Sequence, residues 1–383
     1  MSEKKRVTIS GYYGYGNLGD ETILETIIQK LEKRFQDLDL EITVLSGDPV
    51  DTKRRHHIRA VNRWNPFTLI LTLFRSDVLL SGGGGLLQDS TSSSSLWYYL
   101  TVMALAKMMG KDVYVIGQGL GPIRRRFNRL VLTLLLRRIE GCLVRDGDSA
   151  DFLKEIGYPK EKILLGADLA LLYPEREWNS QTLFPGEEER RMAAAALKDV
   201  DEGREYLLRA VAKGMDLLKE KFGAKIILFS THSAADFSMT KDLKERMEEE
   251  AQIIETDHLD ASGLIEMMEE LDFLVGGRLH TLEFSLLAGT PVSGISYDPK
   301  MDLFAQTLRE LEEEAEIPIW HPEELQEDEE YLEEMEEIFQ NREKIKRQLE
   351  KVVPRVQKKA DRSLTQLLDW VEESLGEKAE RRD

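Results

Sequence analysis

Sulfur chemistry is almost missing from this 383-residue chain. Its one cysteine, Cys142, lies among apolar residues, so there is no disulfide framework, and a reducing cytoplasm is the expected setting. Histidine is scarce as well, at six residues, and none of them falls into a metal-ligand spacing with cysteine or carboxylates. No Gly-x-Ser-x-Gly or comparable nucleophile motif is present. No apolar run approaches the roughly 18 residues that a membrane-spanning helix needs. The longest, Phe67 to Phe74, is far shorter, and the basic segment Met1 to Arg6 leads into a short strand rather than a signal-peptide core. Positive charge is in deficit, with 52 Lys and Arg against 71 Asp and Glu, a net charge of -19 and a pI near 5.0. That balance argues against general nucleic-acid binding, because phosphates would be repelled. What is present is 42% hydrophobic and 32% charged, enough to bury sizeable cores, over a length that predicts two domains.

The order of patterns along the chain predicts an α/β fold with parallel, doubly wound sheets. Arg6 to Ser10 reads as a strand, followed by Gly11-Tyr12-Tyr13-Gly14-Tyr15-Gly16-Asn17-Leu18-Gly19-Asp20-Glu21 and a helix whose apolar face is Ile23, Leu24, Ile27, Ile28, Leu31 and Phe35. Strands are expected at 41–45, 77–81, 112–116 and 141–144, with helices at 96–109, 127–138 and 149–156 between or after them. A first Rossmann-like domain over 1–175, a linker over 176–190, a second domain over 191–345 and a C-terminal helix over 346–383 follow from this reading. Met192 to Leu197 is alanine-rich and fits either helix or buried strand, with strand preferred from its position. The acidic segment after Met301 reads as solvated helical surface, and the final helix is expected to break at Pro354.

Several turns carry candidate chemistry. The turn 11–21 presents main-chain N–H groups at a helix N-terminus, which suits an anion, and its tyrosines offer flat faces for a sugar; an ordinary βα turn is the bland alternative. Gly82 to Gly85 permits close backbone approach, with Gln88 and Asp89 beyond it, or forms a flexible loop. Arg145, at a strand end, is either a substrate cation or the partner of a neighbouring carboxylate. The stretch Gly277-Arg278-Leu279-His280 combines a cation, an imidazole and a helix N-terminus, and alternation in an extended turn would put Arg278 and His280 on one side. Lys300 follows the next strand. His56 and His57 read as part of a basic loop, and His232 as a residue at a strand end. Against the acidic composition, Lys53 to Arg75 and Gly121 to Ile139 contain arginines and apolar residues but no acid, which suits anionic lipid headgroups or plain helix surface.

Taken together, these stretches resemble the polysaccharide pyruvyl transferase family, specifically its CsaB-like bacterial branch. The resemblance rests on Gly11 to Glu21, Ser81 to Gly85 with Gln88 and Asp89, Gly117-Gln118-Gly119-Leu120-Gly121-Pro122, Val144-Arg145-Asp146, Asp168, Gly277 to His280, and Tyr297-Asp298-Pro299-Lys300. One departure stands out: the family's first strand of the second domain usually ends in arginine, whereas here Lys198 follows the alanines. The resemblance implies two Rossmann-like domains in a GT-B-like arrangement with a C-terminal helix crossing back to the first. It implies phosphoenolpyruvate as co-substrate, no cofactor or metal, and a 4,6-linked pyruvate ketal on an N-acetylmannosamine-type sugar. The acceptor would be a lipid-diphosphate-linked cell-wall precursor at the cytoplasmic membrane face, and the finished polymer would anchor surface-layer proteins. His280 is then expected to be catalytic; Arg278, Lys300 and Arg145 to bind phosphoenolpyruvate; and Tyr13, Tyr15, Asn17, Asp20, Gly83, Gln88 and Gln118 to hold the acceptor. A nucleotide-sugar GT-B glycosyltransferase is the alternative enzyme, and an anion-binding sensor the non-enzymatic one. Oligomeric state is left open.

Overall fold

The structure, a computed structural model, describes residues 4–90, 93–173, 191–313 and 316–380, so the predicted linker 176–190 lies outside the described residues. The chain divides into two compact units, residues 4–173 with 357–380 and residues 191–356.

Unit 1 contains, in order, β1 (Lys5–Ser10), α1 (Leu18–Arg34), β2 (Leu40–Ser46), α2 (Pro49–His56), β3 (Arg59–Asn62), α3 (Pro66–Arg75), β4 (Val78–Ser81), β5 (Gly84–Leu87), α4 (Ser93–Met108), β6 (Asp112–Leu120), α5 (Arg126–Leu136), β7 (Gly141–Val144), α6 (Gly147–Glu155) and β8 (Ile163–Leu165). The sheet order is β3-β2-β1-β4-β6-β7-β8, with β5 added beside β6, and every pairing is parallel. Val7, Ile9, Val44, Leu79, Val113 and Leu143 are buried because helices cover both faces of such a sheet. Three elements differ from expectation. The stretch after Gly83 is the short strand β5 rather than a flexible loop, because its backbone pairs with β6. His56 belongs to α2 rather than a loop; Asp48 caps that helix through Val50 and Asp51, and Pro49 opens it. Strand β3, short and without an apolar alternation, gave no readable signal.

Unit 2 contains β9 (Met192–Ala196), α7 (Arg204–Phe222), β10 (Lys225–Leu228), α8 (Ser233–Arg246), β11 (Ala251–Ile253), α9 (Ala261–Glu269), β12 (Phe273–Gly276), α10 (Leu279–Leu287), β13 (Val292–Ile295), α11 (Pro299–Leu311), β14 (Ile319–Trp320), α12 (Glu329–Gln340) and the first part of α13 (Arg342–Glu380). Its sheet runs β11-β10-β9-β12-β13-β14, again parallel throughout. The alanine run is the central strand β9. Ala193 to Ala196 are all buried, so small side chains on both faces replace the usual alternation.

The acidic tail is more than solvated surface. Tyr331, Met335, Ile338 and Phe339 of α12, at helical spacing among its glutamates, are buried in the unit 2 core. Helix α13 runs through Pro354 without a break. Leu349, Val352, Val356, Ala360, Leu364, Leu367, Val371 and Leu375 form one buried stripe, and Pro354 falls on the exposed side, so packing carries the helix past the hydrogen bond that proline removes. From residue 357 onward α13 packs in unit 1, where Tyr114 Oη donates to the Trp370 carbonyl at 3.0 Å and Gln357 Nε2 to the Leu171 carbonyl at 3.0 Å.

Candidate functional site

In each sheet the strand order reverses once, between β1 and β4 in unit 1 and between β9 and β12 in unit 2. Ligands of open α/β sheets bind outside the carboxyl ends of the strands at such a switch point.

In unit 2 basic residues follow these strand ends, with carboxylates among them. Lys198 and Asp199 follow β9, Arg278 follows β12, and Tyr297, Asp298 and Lys300 follow β13. Gly277 lets the end of β12 press against that of β9: a Cβ there would stand 2.5 Å from Lys198 N. Asp236, on the first turn of α8 and fully buried, accepts from Arg278 Nε at 2.5 Å and Nη2 at 2.8 Å, and from Asp199 N at 3.0 Å. That bidentate pair fixes the plane of a guanidinium that is otherwise part-exposed. Lys300 Nζ lies 3.0 Å from Asp298 Oδ2, and Lys198 Nζ 5.9 Å from the centre of the Tyr297 ring. Burial, followed by the repulsion of nearby Arg278, lowers the pKa of Lys198 below the usual lysine value, with Lys300 acting in the same direction and Asp298 and Asp236 opposing. A half-buried group of cations that mutually raise their charging cost is a site prepared for an anion.

His280 stands on the first turn of α10, which begins at Leu279. The expected alternation of Arg278 and His280 in an extended turn is therefore corrected: only Arg278 is extended, and helix geometry sets the direction of His280. Its Nε2 lies 3.8 Å from Oε2 of Glu283, a fully buried carboxylate one turn along, and its ring lies beside Phe284 with centroids 6.4 Å apart. His232 caps the start of α8 by position without a side-chain capping bond.

Unit 1 fills its switch point with its own side chains. Tyr13 is wholly buried against Gly11 and Gly82, and its hydroxyl has no hydrogen-bond partner among the described residues. In this conformation it offers no face to a sugar. Gln118 is also fully buried; its Nε2 donates to the Ser81 carbonyl at 3.0 Å and the Gly82 carbonyl at 2.8 Å, tying β6 to the end of β4. Gly83 packs on Ile23, and Asp20 is buried beside Gly84. Arg145, with 6% of its side chain exposed, pairs with buried Asp168 at 2.5 Å, so the carboxylate-partner reading of this residue is the one that its position fits. Asn17 caps α1 by accepting from Gly19 N at 3.2 Å, and Gln88 accepts from Ser90 N at 3.1 Å.

The accessible part of this turn is aromatic. Tyr12 and Tyr15 stack with centroids 4.4 Å apart, and Trp64 Nε1 donates to Tyr15 Oη at 2.9 Å. Beneath them lies Arg63, 4% exposed and therefore no headgroup ligand as its basic segment had suggested. It is boxed by the rings of Tyr15, Trp64, Tyr98 and Tyr99 and donates through Nη1 to the Gly11 carbonyl at 2.7 Å. Glu21 accepts from Gly14 N at 2.7 Å, with His56 Nε2 3.4 Å from its other oxygen.

Residues 17–299 match the model of the family described as polysaccharide pyruvyl transferase. The chain belongs to the polysaccharide pyruvyl transferase family. Comparison with curated proteins by sequence returned no match. Among solved structures, this family member resembles the Anabaena protein Alr3699/HepE in complex with UDP and glucose, with a TM-score of 0.61 at 11% identity over 96% of this chain and 100% of that one. A glycosyltransferase from Rickettsia africae gives 0.61 at 14% identity over 97% and 99%. An O-GlcNAc transferase mutant from Thermobaculum terrenum gives 0.55 at 14% identity over 100% and 69%. At such identities the likeness concerns the fold alone, two Rossmann-like α/β units of the GT-B class.

For this transferase, three site residues escaped the sequence reading. Asp236 and Glu283 are carboxylates one helical turn into α8 and α10, and Arg63 was indistinguishable from its exposed basic neighbours. The available signal was position: an acid in the first turn of a helix that follows a strand end, with a basic or imidazole residue close by.

Proposed function

We propose that this family member transfers the pyruvyl group of phosphoenolpyruvate to two hydroxyls of an N-acetylmannosamine-type sugar. The product is a 4,6-linked ketal on a lipid-linked cell-wall polysaccharide precursor, and phosphate is released. The observation that carries this reading is the group of Arg278, Lys198 and Lys300 at the carboxyl ends of β12, β9 and β13, with His280 on the adjoining helix turn. Phosphoenolpyruvate carries a carboxylate and a phosphate, and a fork-shaped guanidinium with two ammonium groups suits that pair of anions.

The chemistry balances as follows. The enol CH2 takes up a proton and becomes CH3, leaving C2 open to attack by one sugar oxygen. The C2–O bond to phosphate breaks, and the second sugar oxygen closes the ring. Of the two hydroxyl protons displaced, one matches the proton gained by carbon and the other leaves with phosphate. His280 is assigned the proton transfers, which typically contribute roughly 10²–10⁴-fold. Lys198 takes the place of the arginine usual in the family and is assigned to donor binding beside Arg278. Arg145, buried with Asp168, is reassigned from donor binding to holding the ends of β7 and β8. The acceptor sugar is assigned to the exposed faces of Tyr12 and Tyr15 with Asn17 and Gln88, while Tyr13, Gly83, Asp20 and Gln118 shape the turn beneath.

The deciding assay is phosphate release from phosphoenolpyruvate, with and without a synthetic or lipid-linked aminosugar acceptor. Acceptor-dependent release is expected. Absence of release together with turnover of a nucleotide sugar would replace this reading with a glycosyltransferase, and saturable anion binding without any product would replace it with a sensor.

A further inference from the structure

Unit 1 carries an apolar surface that the proposed chemistry does not use. On α3, Phe67, Ile70, Leu71 and Phe74 stand at i, i+3, i+4 and i+7 and are all exposed, Phe67 by 84% and Phe74 by 67%. The opposite residues Leu69, Thr72 and Leu73 face the core. Helix α5 repeats the arrangement, with Phe127, Leu130 and Leu134 outward and Leu132, Leu135 and Leu136 inward. Both helices are thus amphipathic on the inside and apolar again on the outside. Helix α4 packs between them and adds exposed Trp97 and Met108. The Trp97 ring lies 5.8 Å from that of Phe127, and Lys111 Nζ lies 5.7 Å over the Phe74 ring, so the segment of α4 and its end link the exposed residues of α5 and α3. Exposed Arg75 ends α3, and exposed Arg124, Arg125 and Arg126 lead into α5, while Arg129 is paired with Glu155 at 2.8 Å. The segments 53–75 and 121–139 that build this face and its flanks contain no Asp or Glu, in a chain of net charge -19.

We propose that this face docks on the surface of a bilayer containing anionic lipids. Contiguous exposed apolar surface of this kind marks an interaction site. Charge complementarity selects the occupant. In a twofold pairing of copies the same patch meets itself, which would set these arginines against one another. An anionic headgroup layer matches both features: aromatic and aliphatic tips enter the boundary between headgroups and acyl chains, and the arginines meet phosphates. Among the described residues no helix is long and apolar enough to cross a membrane, so the contact is peripheral. Trp64, directly before α3, joins this face to the Tyr12–Tyr15 stack by its bond to Tyr15. A lipid-linked sugar would therefore meet its aromatic platform beside the bilayer, although docking itself is independent of the assigned reaction and is read without turnover.

The test is co-sedimentation of the full chain with vesicles of phosphatidylcholine alone and of phosphatidylcholine mixed with phosphatidylglycerol. Binding to the anionic vesicles is expected, weakening with salt, with little binding to the neutral ones. Phe67→Ser with Phe74→Ser, and separately Arg124→Glu with Arg126→Glu, are each expected to weaken it roughly tenfold or more. Thermal melts close to wild type show that these surface variants fold. No binding to either vesicle, equal binding to both, or binding that neither pair of substitutions changes would overturn the proposal. So would a dimer in light scattering that the phenylalanine substitutions dissociate, since a second copy would then own the face.

Discussion

Asp236→Asn is the substitution that most directly tests how the anion site is held. The carboxylate is buried and accepts three hydrogen bonds, two from Arg278 and one from Asp199 N. Asparagine keeps the volume but supplies one acceptor oxygen, and its amide turns a donor toward a guanidinium or N–H that is itself a donor. Hydrogen bonds to charged groups contribute about 1.5–3 kcal/mol, and breaking a buried ion pair costs about 3–5 kcal/mol. Arg278 keeps 27% of its side-chain surface in water, so solvation returns part of that loss. A net destabilisation of about 2–3 kcal/mol is expected, which lowers the melting temperature by roughly 4–12 °C for a unit of this size. In the phosphate-release assay, a guanidinium no longer fixed in its plane should raise KM for phosphoenolpyruvate by about tenfold, with a smaller change in kcat. Unchanged melting together with unchanged KM would refute the clamp. Lower melting with unchanged KM would make the pair purely structural and remove Arg278 from donor binding.

The other expectations rest on separate residues. His280→Ala should reduce kcat by roughly 10²-fold or more while the melting curve stays near wild type, and near-normal turnover would end its proton-transfer assignment. For Lys198, folding disfavours the charged form, so the native state loses this proton before the unfolded state as pH rises. Its contribution to stability should therefore rise with pH between its lowered value and the usual lysine value, and Lys198→Met should flatten that rise in melts taken across pH 8–11, the alkaline range about the lysine value. Donor affinity should move the other way, with KM for phosphoenolpyruvate climbing at lower pH in wild type than in Lys198→Arg. Asp89 holds the turn that leads into α5, accepting from Arg124 N, Arg125 N and Asn128 Nδ2 at 2.6, 3.0 and 2.8 Å. Burial pushes its pKa up, but these bonds outweigh it and leave the pKa below the usual value, so the stabilisation is present above about pH 4 and lost as pH falls further. Asp89→Ala should cost about 1–2 kcal/mol at neutral pH in denaturant melts, with the gap closing in acid.

Much of the fold was legible because its signals are local. The βα alternation, the apolar face of α1 and the glycines at strand ends are written within a few residues of where they act. The turns at 11–21 and 277–280 were legible for the same reason. What escaped depends on partners distant in sequence. Strand β5 exists only because β6 accepts it, and the apolar stripe of α12, masked by its glutamates, is buried only because α7 lies against it. The long helix survives Pro354 because the buried stripe on the other side continues. Arg63 and Arg145 look like their exposed neighbours in sequence, and only the aromatic box and Asp168 reveal them as buried cations.

The same contrast supports assigning the proposed donor to unit 2. The two sheets share the same strand order about their switch points, so that order alone cannot distinguish them. Their occupancy does. Unit 1 places Tyr13 against Gly82, Ile23 against Gly83 and Asp20 against Gly84, and pairs Arg145 with Asp168. In unit 2 the corresponding close approach at Gly277 is to the backbone of Leu197 and Lys198 rather than to a side chain. Around it stand two half-buried lysines and an arginine, against the carboxylates of Asp236 and Asp298. The lowered pKa of Lys198 means that this group carries an electrostatic cost in the empty state, and an arriving dianion relieves it. Phosphoenolpyruvate should therefore raise the pKa of Lys198 on binding and take up protons on the acid side of the usual lysine value. Calorimetry in buffers of different ionisation enthalpy reads this directly, and the proton uptake should vanish in Lys198→Arg. Binding without proton uptake in wild type would mean that Lys198 does not face the donor.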